Sequence, residues 1–310
     1  MATTTSITTT YAGEFKQQII SAALLSGNTI ANGGVTVKPN IKYKETVKKL
    51  AIGAMSANAT CDFTAASSVT LTERVITPEE FQINLQLCKK DFRSDFEAIS
   101  MGISVYDNLP KNFQDYLVAE IAAKVAQENE ISLWRGANAT AGQYDGFVTL
   151  ATADATVVDV VGTTVTAANV IAELGKVVDA IPAALYGSAG LNVYVSQNVA
   201  RAYIRALGGF GASGLGANGT NAMGTQWSNN GSLSFDGVPI FVANGLASNY
   251  IMAGEKENLW FGTGLLNDST EVKVIDMADL DGSQNVRVIM RYTAAAQYGI
   301  GSELVLYTPV

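Results

Sequence analysis

The chain has 310 residues, of which 48% are apolar and only 15% are charged, so it can form a substantial hydrophobic core beneath a weakly charged surface. It contains no histidine, which removes the commonest general base and the commonest metal ligand and excludes most hydrolase and zinc mechanisms. The net charge of −8 is uneven, because residues 1–60 carry six Lys against two acids, and the acidic remainder predicts weak general affinity for nucleic acid.

The first 25 residues predict an arm and a short helix. Residues 1–14 are rich in Thr with almost no apolar anchor, which is typical of a flexible arm that a partner surface orders. Residues 15–25 resemble a signal peptide, but Glu14 lies in the would-be basic region and the apolar run is short. A short amphipathic helix is therefore the better interpretation. No stretch approaches the roughly 20 apolar residues that span a bilayer, so we expect no membrane partner.

Two segments predict a long two-stranded ribbon. Residues 41–53 mix apolar residues with Lys, and residues 69–87 begin with strict alternation of side chains. A two-stranded ribbon is marginally stable alone, so it needs support from its own body or from another chain. Five lysines lie on or beside the first strand: Lys38, Lys42, Lys44, Lys48 and Lys49. They either protect an exposed strand edge against aggregation or pair with acidic residues of an adjacent subunit.

A long amphipathic helix is the clearest element of the sequence. Asp107 or Asn108 can cap its N-terminus, Pro110 fits the first turn, and the helix is expected to end near Gly136. Its core face consists of apolar residues at four-residue spacing: Phe113, Leu117, Ile121 and Val125. Because the opposite face is polar, a helix roughly 40 Å long packs one side on a sheet and turns the other to solvent or a neighbour.

Residues 147–207 predict an α/β unit. We expect a strand from Phe147, a helix over 167–181, a strand over 191–195 and a helix over 197–207 with Ser196 as its N-cap. Residues 208–232 then form a long loop of Gly, Asn and Ser, and loops of this length are usually functional or disordered. Its glycines include Gly208, Gly209, Gly211, Gly214, Gly216 and Gly219.

Familiar site motifs are present only in incomplete form. Gly209, Gly211 and Gly214 match G-x-G-x-x-G, but they follow a helix and enter a loop, whereas a dinucleotide site needs a preceding strand and a following helix. Asp281 and Gly282 belong to a partial calcium-loop pattern that lacks both essential carboxylates, so a hairpin turn is the better interpretation. We therefore predict no catalytic residue, no cofactor and no metal.

Two stretches carry a resemblance to a known family: residues 69–92 (VTLTERVITPEEFQINLQLCKKDF) and residues 258–307, which begin NLWFGTGLL and end GIGSELVLY. They closely resemble the major capsid proteins of tailed bacteriophages of the Hong Kong 97 type. The order of elements along the whole chain is also similar. The resemblance implies an α+β, Hong Kong 97-like major capsid fold.

The family pattern also implies a division of the chain. The segments are the N-arm (1–40), the extended β-ribbon called the E-loop (41–86), the peripheral domain with its long spine helix (87–145 and 267–298), and the axial domain (146–266 and 299–310). In this arrangement the five E-loop lysines contact a neighbouring subunit. The glycine-rich loop points towards the capsomer centre.

The function implied by the resemblance is structural rather than enzymatic. Copies of the chain would form hexamers and pentamers that close into an icosahedral shell, enclosing double-stranded DNA without sequence-specific binding. The expected partners are further copies, a scaffolding protein, a portal and possibly cement proteins. Because the sequence starts directly at the arm, we expect either a separate scaffold or a mature form. The expected location is the virion capsid, after assembly in the host cytoplasm.

Two alternatives remain open at the level of sequence. An encapsulin-like nanocompartment shell is similar in fold and would enclose an enzyme cargo instead of DNA. A secreted surface-layer or adhesin protein is similar in composition and would require a cleaved leader.

Overall fold

The computed structural model describes residues 28–41, 43–52, 69–88, 111–207, 233–264 and 272–310. The strands in these ranges are β1 Thr36–Lys38, β2 Glu45–Ile52, β3 Val69–Ile76, β4 Glu79–Cys88, β5 Val158–Gly162, β6 Leu191–Val195, β7 Ser234–Phe235, β8 Val238–Val242, β9 Ile251–Glu255, β10 Leu259–Thr263, β11 Lys273–Asp276, β12 Asn285–Tyr298 and β13 Val305–Pro309. The helices are α1 Asn28–Ala31, α2 Lys111–Arg135, α3 Phe147–Ala153, α4 Val170–Asp179, α5 Gln197–Leu207 and α6 Ala278–Asp281. Short 3-10 turns lie at Lys256–Asn258 and Gly301–Glu303.

A five-stranded sheet is built around β12, the longest strand. β4 pairs with it antiparallel from Asn285↔Cys88 to Ala294↔Glu79. Along its opposite edge β12 pairs with β11 and then with β10, and β1 adds parallel to β10. Alternate residues of β12 are buried, so one side of its first half can pack on a helix.

The long helix α2 covers that side. Its Val125 is buried and Ile121 is half-buried, and both pack in a cluster with Val288 and Met290 of β12. These two helix residues belong to the predicted core face, and the helix ends at Arg135. The side chains of Phe113 and Leu117, and the N-terminal residues Asp107, Asn108 and Pro110, lie outside the described part of the chain.

A six-stranded sheet has the order β5-β13-β9-β6-β8-β7. Helices α4 and α5 pack on one face, where Val193, Ile251 and Val305 are buried. The opposite face contributes Tyr194 and Leu306 to a second cluster, which also contains residues of α3, β10 and β12. Because both faces are covered, its central strands are apolar at nearly every position, and this second cluster joins the two sheets.

The predicted strand 191–195 and helix 197–207 are confirmed by β6 and α5. The helix expected over 167–181 is shorter, Val170–Asp179. The strand expected from Phe147 is wrong, because this segment is helix α3 and the strand begins only at Val158. Phe147, Val148 and Ala151 are buried at helical spacing, and Phe147 packs edge-on against Trp134 with ring centroids 5.5 Å apart. Contacts with the end of α2 therefore decide the conformation of a short run that fits either state.

The hairpin expected at Asp281 and Gly282 is longer than a two-residue turn. Strands β11 and β12 are antiparallel neighbours, but the connection contains the helical turn α6. Gly282 ends this turn with a φ of +73°, a left-handed conformation that glycine adopts without strain.

Candidate assembly surface

The ribbon predicted from the sequence is formed by β2 and β3. They pair antiparallel without interruption from Glu45↔Ile76 to Ile52↔Val69. After Ile76 the chain passes into β4, which belongs to the five-stranded sheet. The ribbon is thus an extension of one edge of the body, and its stability depends on what its two faces contact.

The two faces of the ribbon have different environments. Residues directly opposite each other point to the same side of a strand pair, so the register assigns each pair to one face. The inner face contains Glu45, Val47, Lys49, Arg74 and Ile76, which are buried or half-buried. The outer face contains the exposed residues Thr46, Lys48, Val69, Leu71 and Glu73. The inner face therefore lies against the body of its own subunit.

Val69 and Leu71, in the far half of the outer face, are apolar and exposed. Val69 is 64% exposed and Leu71 is 59% exposed, and their partners in the register are Ile52 and Leu50. Apolar residues that face water from a strand mark a surface that another molecule covers. Within the described part of the chain nothing covers Val69 or Leu71, so the outer face is our candidate for contact between subunits.

The base of the ribbon is fixed by an apolar cluster. Ile76 is fully buried and packs with Ile41 and Ala295, while Val47 and Trp260 border them. A second contact at the base is polar, since the Gln297 side-chain amide donates a hydrogen bond to the Val75 carbonyl over 3.2 Å.

Arg74 connects the inner face of the ribbon to the body of the subunit. Its guanidinium forms an ion pair with Asp154, just after helix α3, and lies over the Tyr298 ring at 4.9 Å. The Tyr298 hydroxyl donates to Asp154 Oδ2 over 2.8 Å. The Thr156 backbone N–H and hydroxyl donate to Asp154 Oδ1 over 2.9 and 2.8 Å. We call Arg74, Asp154, Thr156 and Tyr298 the Arg74 cluster.

The Arg74 cluster holds Asp154 in its ionised form. Burial alone would raise the pKa of Asp154, but hydrogen bonds from Thr156, Arg74 and Tyr298 outweigh it and keep the pKa well below its usual value. Because the folded-state pKa is the lower one, this stabilisation is complete above the ordinary carboxyl pKa of about 4. It is lost as the pH falls through the depressed value.

The five lysines that the sequence predicted to contact a neighbour have different surroundings. Lys38 forms an ion pair with Glu45 over 3.1 Å and lies above the Trp260 ring at 4.4 Å, within its own subunit. Lys44 and Lys48 are exposed. Burial raises the pKa of Glu303, and the nearby inner-face Lys49 offsets part of this rise. Lys42 lies outside the described residues.

The segment 28–41 joins both sheets to the long helix. Thr29 is fully buried, and its N–H donates to Glu130 Oε2 over 3.1 Å while its hydroxyl donates to Glu130 Oε1. The same hydroxyl accepts a hydrogen bond from Trp134 Nε1 over 2.8 Å. Further along, the Gly34 carbonyl accepts a bond of 2.5 Å from the Tyr194 hydroxyl. This segment then continues as β1 in the five-stranded sheet.

Glu130 and Arg74 did not emerge from the sequence. Glu130 follows Ala122 and Ala126 at four-residue spacing on α2. The sequence feature that could have identified it is therefore a carboxylate on a helix face that otherwise contains small apolar residues. Arg74 lies between Glu73 and Val75 in an alternating strand, and nothing local indicates its partner 80 positions away. The six loop glycines named above, from Gly208 to Gly219, lie outside the described ranges, so their role at the capsomer centre stays a prediction.

No protein-family model matches the chain, and no curated protein matches it in sequence. Solved structures do match. The capsid of a native GTA particle is 14% identical with a TM-score of 0.59, covering 94% of this chain and 91% of that one. The satellite phage P4 procapsid is 13% identical with a TM-score of 0.55, covering 95% and 99%. A virus-like particle from Pyrococcus furiosus is 9% identical with a TM-score of 0.52, covering 95% and 98%.

The chain thus has the mixed α+β fold of capsid proteins, with several sheets and few helices. Each match extends over nearly the full length of both compared chains, so the whole fold is shared and not only one of its sheets. In the described ranges, no helix combines the length and the apolar character that crossing a bilayer requires.

Proposed function

We propose that this chain is a major capsid protein of the Hong Kong 97 type, which self-assembles into the icosahedral shell of a tailed bacteriophage. The observation that carries the proposal is the capsid-protein fold, shared over more than nine-tenths of both chains with the native GTA capsid. The exposed apolar outer face of the ribbon supports it, because a surface of this kind is stabilised when a second copy covers it.

In this proposal the segments have separate roles. The ribbon outer face contacts a neighbouring copy, and the same contact repeated by rotation closes hexamers and pentamers. The glycine-rich loop lies at the capsomer centre, and the shell encloses double-stranded DNA without sequence-specific contacts. Scaffolding, portal and cement proteins are the further partners. Of the five lysines, Lys44 and Lys48 are the best placed for contacts between subunits, since Lys38 is paired within its own subunit.

A second candidate is an encapsulin-like compartment shell. The likeness to the virus-like particle from Pyrococcus furiosus favours it. The two candidates share the assembly step and differ in what the shell contains. The contents of the shell therefore distinguish the two candidates.

The first experiment is electron microscopy and light scattering of the full chain after expression. Closed shells with five-fold and six-fold capsomers are expected, and a stable 32.6 kDa monomer under all assembly conditions would contradict both candidates. The second experiment treats particles from the native source with nuclease. Protected double-stranded DNA supports the phage capsid, whereas an enclosed enzyme and no DNA would support the compartment shell.

Charge reversal of the ribbon lysines tests their contact role. The double variant Lys48→Glu/Lys49→Glu is expected to lower shell yield by about tenfold while the subunit stays folded, since a lost ion pair at each contact weakens assembly throughout the shell. Lys48→Glu alone should produce most of the loss, because Lys49 is on the inner face. Sedimentation measures the yield and circular dichroism the fold. A larger loss from Lys49→Glu alone would contradict the assignment of faces.

A further inference from the structure

We propose that the Arg74–Asp154 ion pair is a positioning contact for assembly, which fixes the direction in which the ribbon leaves the subunit. This inference rests on the proposed function, because a direction matters only if the outer face must meet another copy. It names a contact inside one subunit as a determinant of the interface between subunits.

The ribbon is held by contacts at its base and by the Arg74 cluster. Its base is fixed to the five-stranded sheet by the apolar cluster around Ile76 and by the bond from Gln297 to Val75. These contacts lie close together at the end of the ribbon, so they define a pivot. Arg74, whose register partner Val47 borders this base, lies over Tyr298 of β12. It also contacts a different segment of the body, Asp154 at the junction between α3 and β5. This added contact restricts the direction of the ribbon more than the base contacts do alone.

The direction of the ribbon matters because its tip lies far from its base. Val69 lies seven residues from Ile76 at the base, which corresponds to roughly 24 Å along a strand. A rotation of about 10° at the base would therefore move Val69 by roughly 4 Å. Apolar contacts extend only to about 4.5 Å between heavy atoms. A small loss of direction thus separates the apolar outer face from the surface that it must cover.

The acceptor of the ion pair, Asp154, is held rigidly. Both carboxylate oxygens of Asp154 have partners in the Arg74 cluster, and Tyr298 belongs to the end of β12 with a fully buried ring. Asp154 is therefore held in one orientation before Arg74 reaches it. Planar guanidinium groups suit such a fixed acceptor, since their donors are themselves held in one plane.

The test uses three variants and a control. Arg74→Met keeps most of the side-chain length without the charge, Asp154→Asn removes the charge of the acceptor, and Arg74→Lys retains a cation. Arg291→Met is the control, because Arg291 is an exposed cation on β12 and its replacement changes the net charge equally.

The first readout is hydrogen exchange in the unassembled subunit. In Arg74→Met and Asp154→Asn, the amides of β2 and β3 should exchange about tenfold faster, as expected for loss of one charge-assisted bond. Amides of the β4–β12 pairing should stay within about twofold of wild type. If the ion pair only stabilised the subunit as a whole, hydrogen exchange would become faster both in β2 and β3 and in the β4–β12 pairing. Arg74→Lys should lie between wild type and Arg74→Met.

The second readout is shell yield, which should fall about tenfold in Arg74→Met and stay at the wild-type level in Arg291→Met. Unchanged ribbon exchange in Arg74→Met would overturn the inference whether or not shells form. Equal loss of shells in Arg291→Met would also overturn it, because net charge would then control assembly. If the wild-type chain forms no shells at all, the proposed function fails, while the exchange comparison still tests the contact.

Discussion

Val69→Asp is expected to abolish shell formation while leaving the subunit folded. Val69 is 64% exposed in the isolated subunit, so a carboxylate there remains in water and changes the folding free energy by only about 0.5 kcal/mol. If the outer face is covered by a neighbour, the same carboxylate is buried without a partner, which costs about 3 kcal/mol or more at each contact. A cost of this size lowers each contact's association constant by about a hundredfold.

The chain supplies a closely matched control for this variant. Val161, on the edge strand β5, is 65% exposed, so Val161→Asp places the same charge at an equally exposed strand position. Size-exclusion chromatography and electron microscopy measure shell yield, and thermal unfolding measures the fold. Wild-type yield from Val69→Asp would show that the outer face is not buried in the shell. Equal loss from Val161→Asp would attribute the effect to added negative charge.

The ribbon shows what sequence patterns can predict and what they cannot. Alternation in residues 69–76 predicted a strand, and the structure pairs it with β2 as expected. The same pattern could not distinguish an inner face from an outer face, because both contain apolar and charged residues. That difference depends on Arg74 and Asp154, which are 80 positions apart. Local periodicity thus predicts that a strand forms, whereas the contacts that orient the strand depend on the tertiary fold.

Residues 147–153 show the opposite case, in which local pattern and structure disagree. The run FVTLATA is short, apolar and rich in β-branched residues, so it fits a strand by propensity. In the folded chain Phe147 must reach the Trp134 ring, and the Thr149 hydroxyl donates to the Gly136 carbonyl over 2.7 Å. Both contacts follow from the close return of the chain after α2. Tertiary contacts outweigh a preference that is worth at most about 1 kcal/mol.

The anchoring of segment 28–41 depends on long-range contacts that the sequence does not show. The resemblance implied an N-arm for residues 1–40, and a partner surface was expected to order residues 1–14. Residues 28–40 make contacts within their own subunit: the Thr29 N–H donates to Glu130, and the Gly34 carbonyl accepts from Tyr194. A contact between one residue near the start of the chain and one in a long helix leaves no periodic signal.

Gly245→Ala is expected to destabilise the subunit by about 3 kcal/mol or more. A Cβ at this position would lie 2.0 Å from the Glu130 carbonyl oxygen and 2.9 Å from Trp134 Cδ1. The carbonyl belongs to the backbone of helix α2, so no change of side-chain rotamer relieves the overlap. The loop and the helix must separate, and the Glu130–Thr29 contact lies at the same place. The melting temperature of the dissociated subunit should fall by roughly 6 °C.

Gly175→Ala is the matched control, because Gly175 lies inside helix α4 and an added Cβ meets nothing within 4 Å. Alanine is the better helix former by about 0.8 kcal/mol, so this variant should melt about 1–2 °C higher than wild type. The same methyl group is thus expected to act in opposite directions at the two sites. If Gly245→Ala melted at or above the wild-type temperature, the close approach of the loop to α2 would be wrong. The packing of segment 28–41 against Trp134 would then need a different explanation.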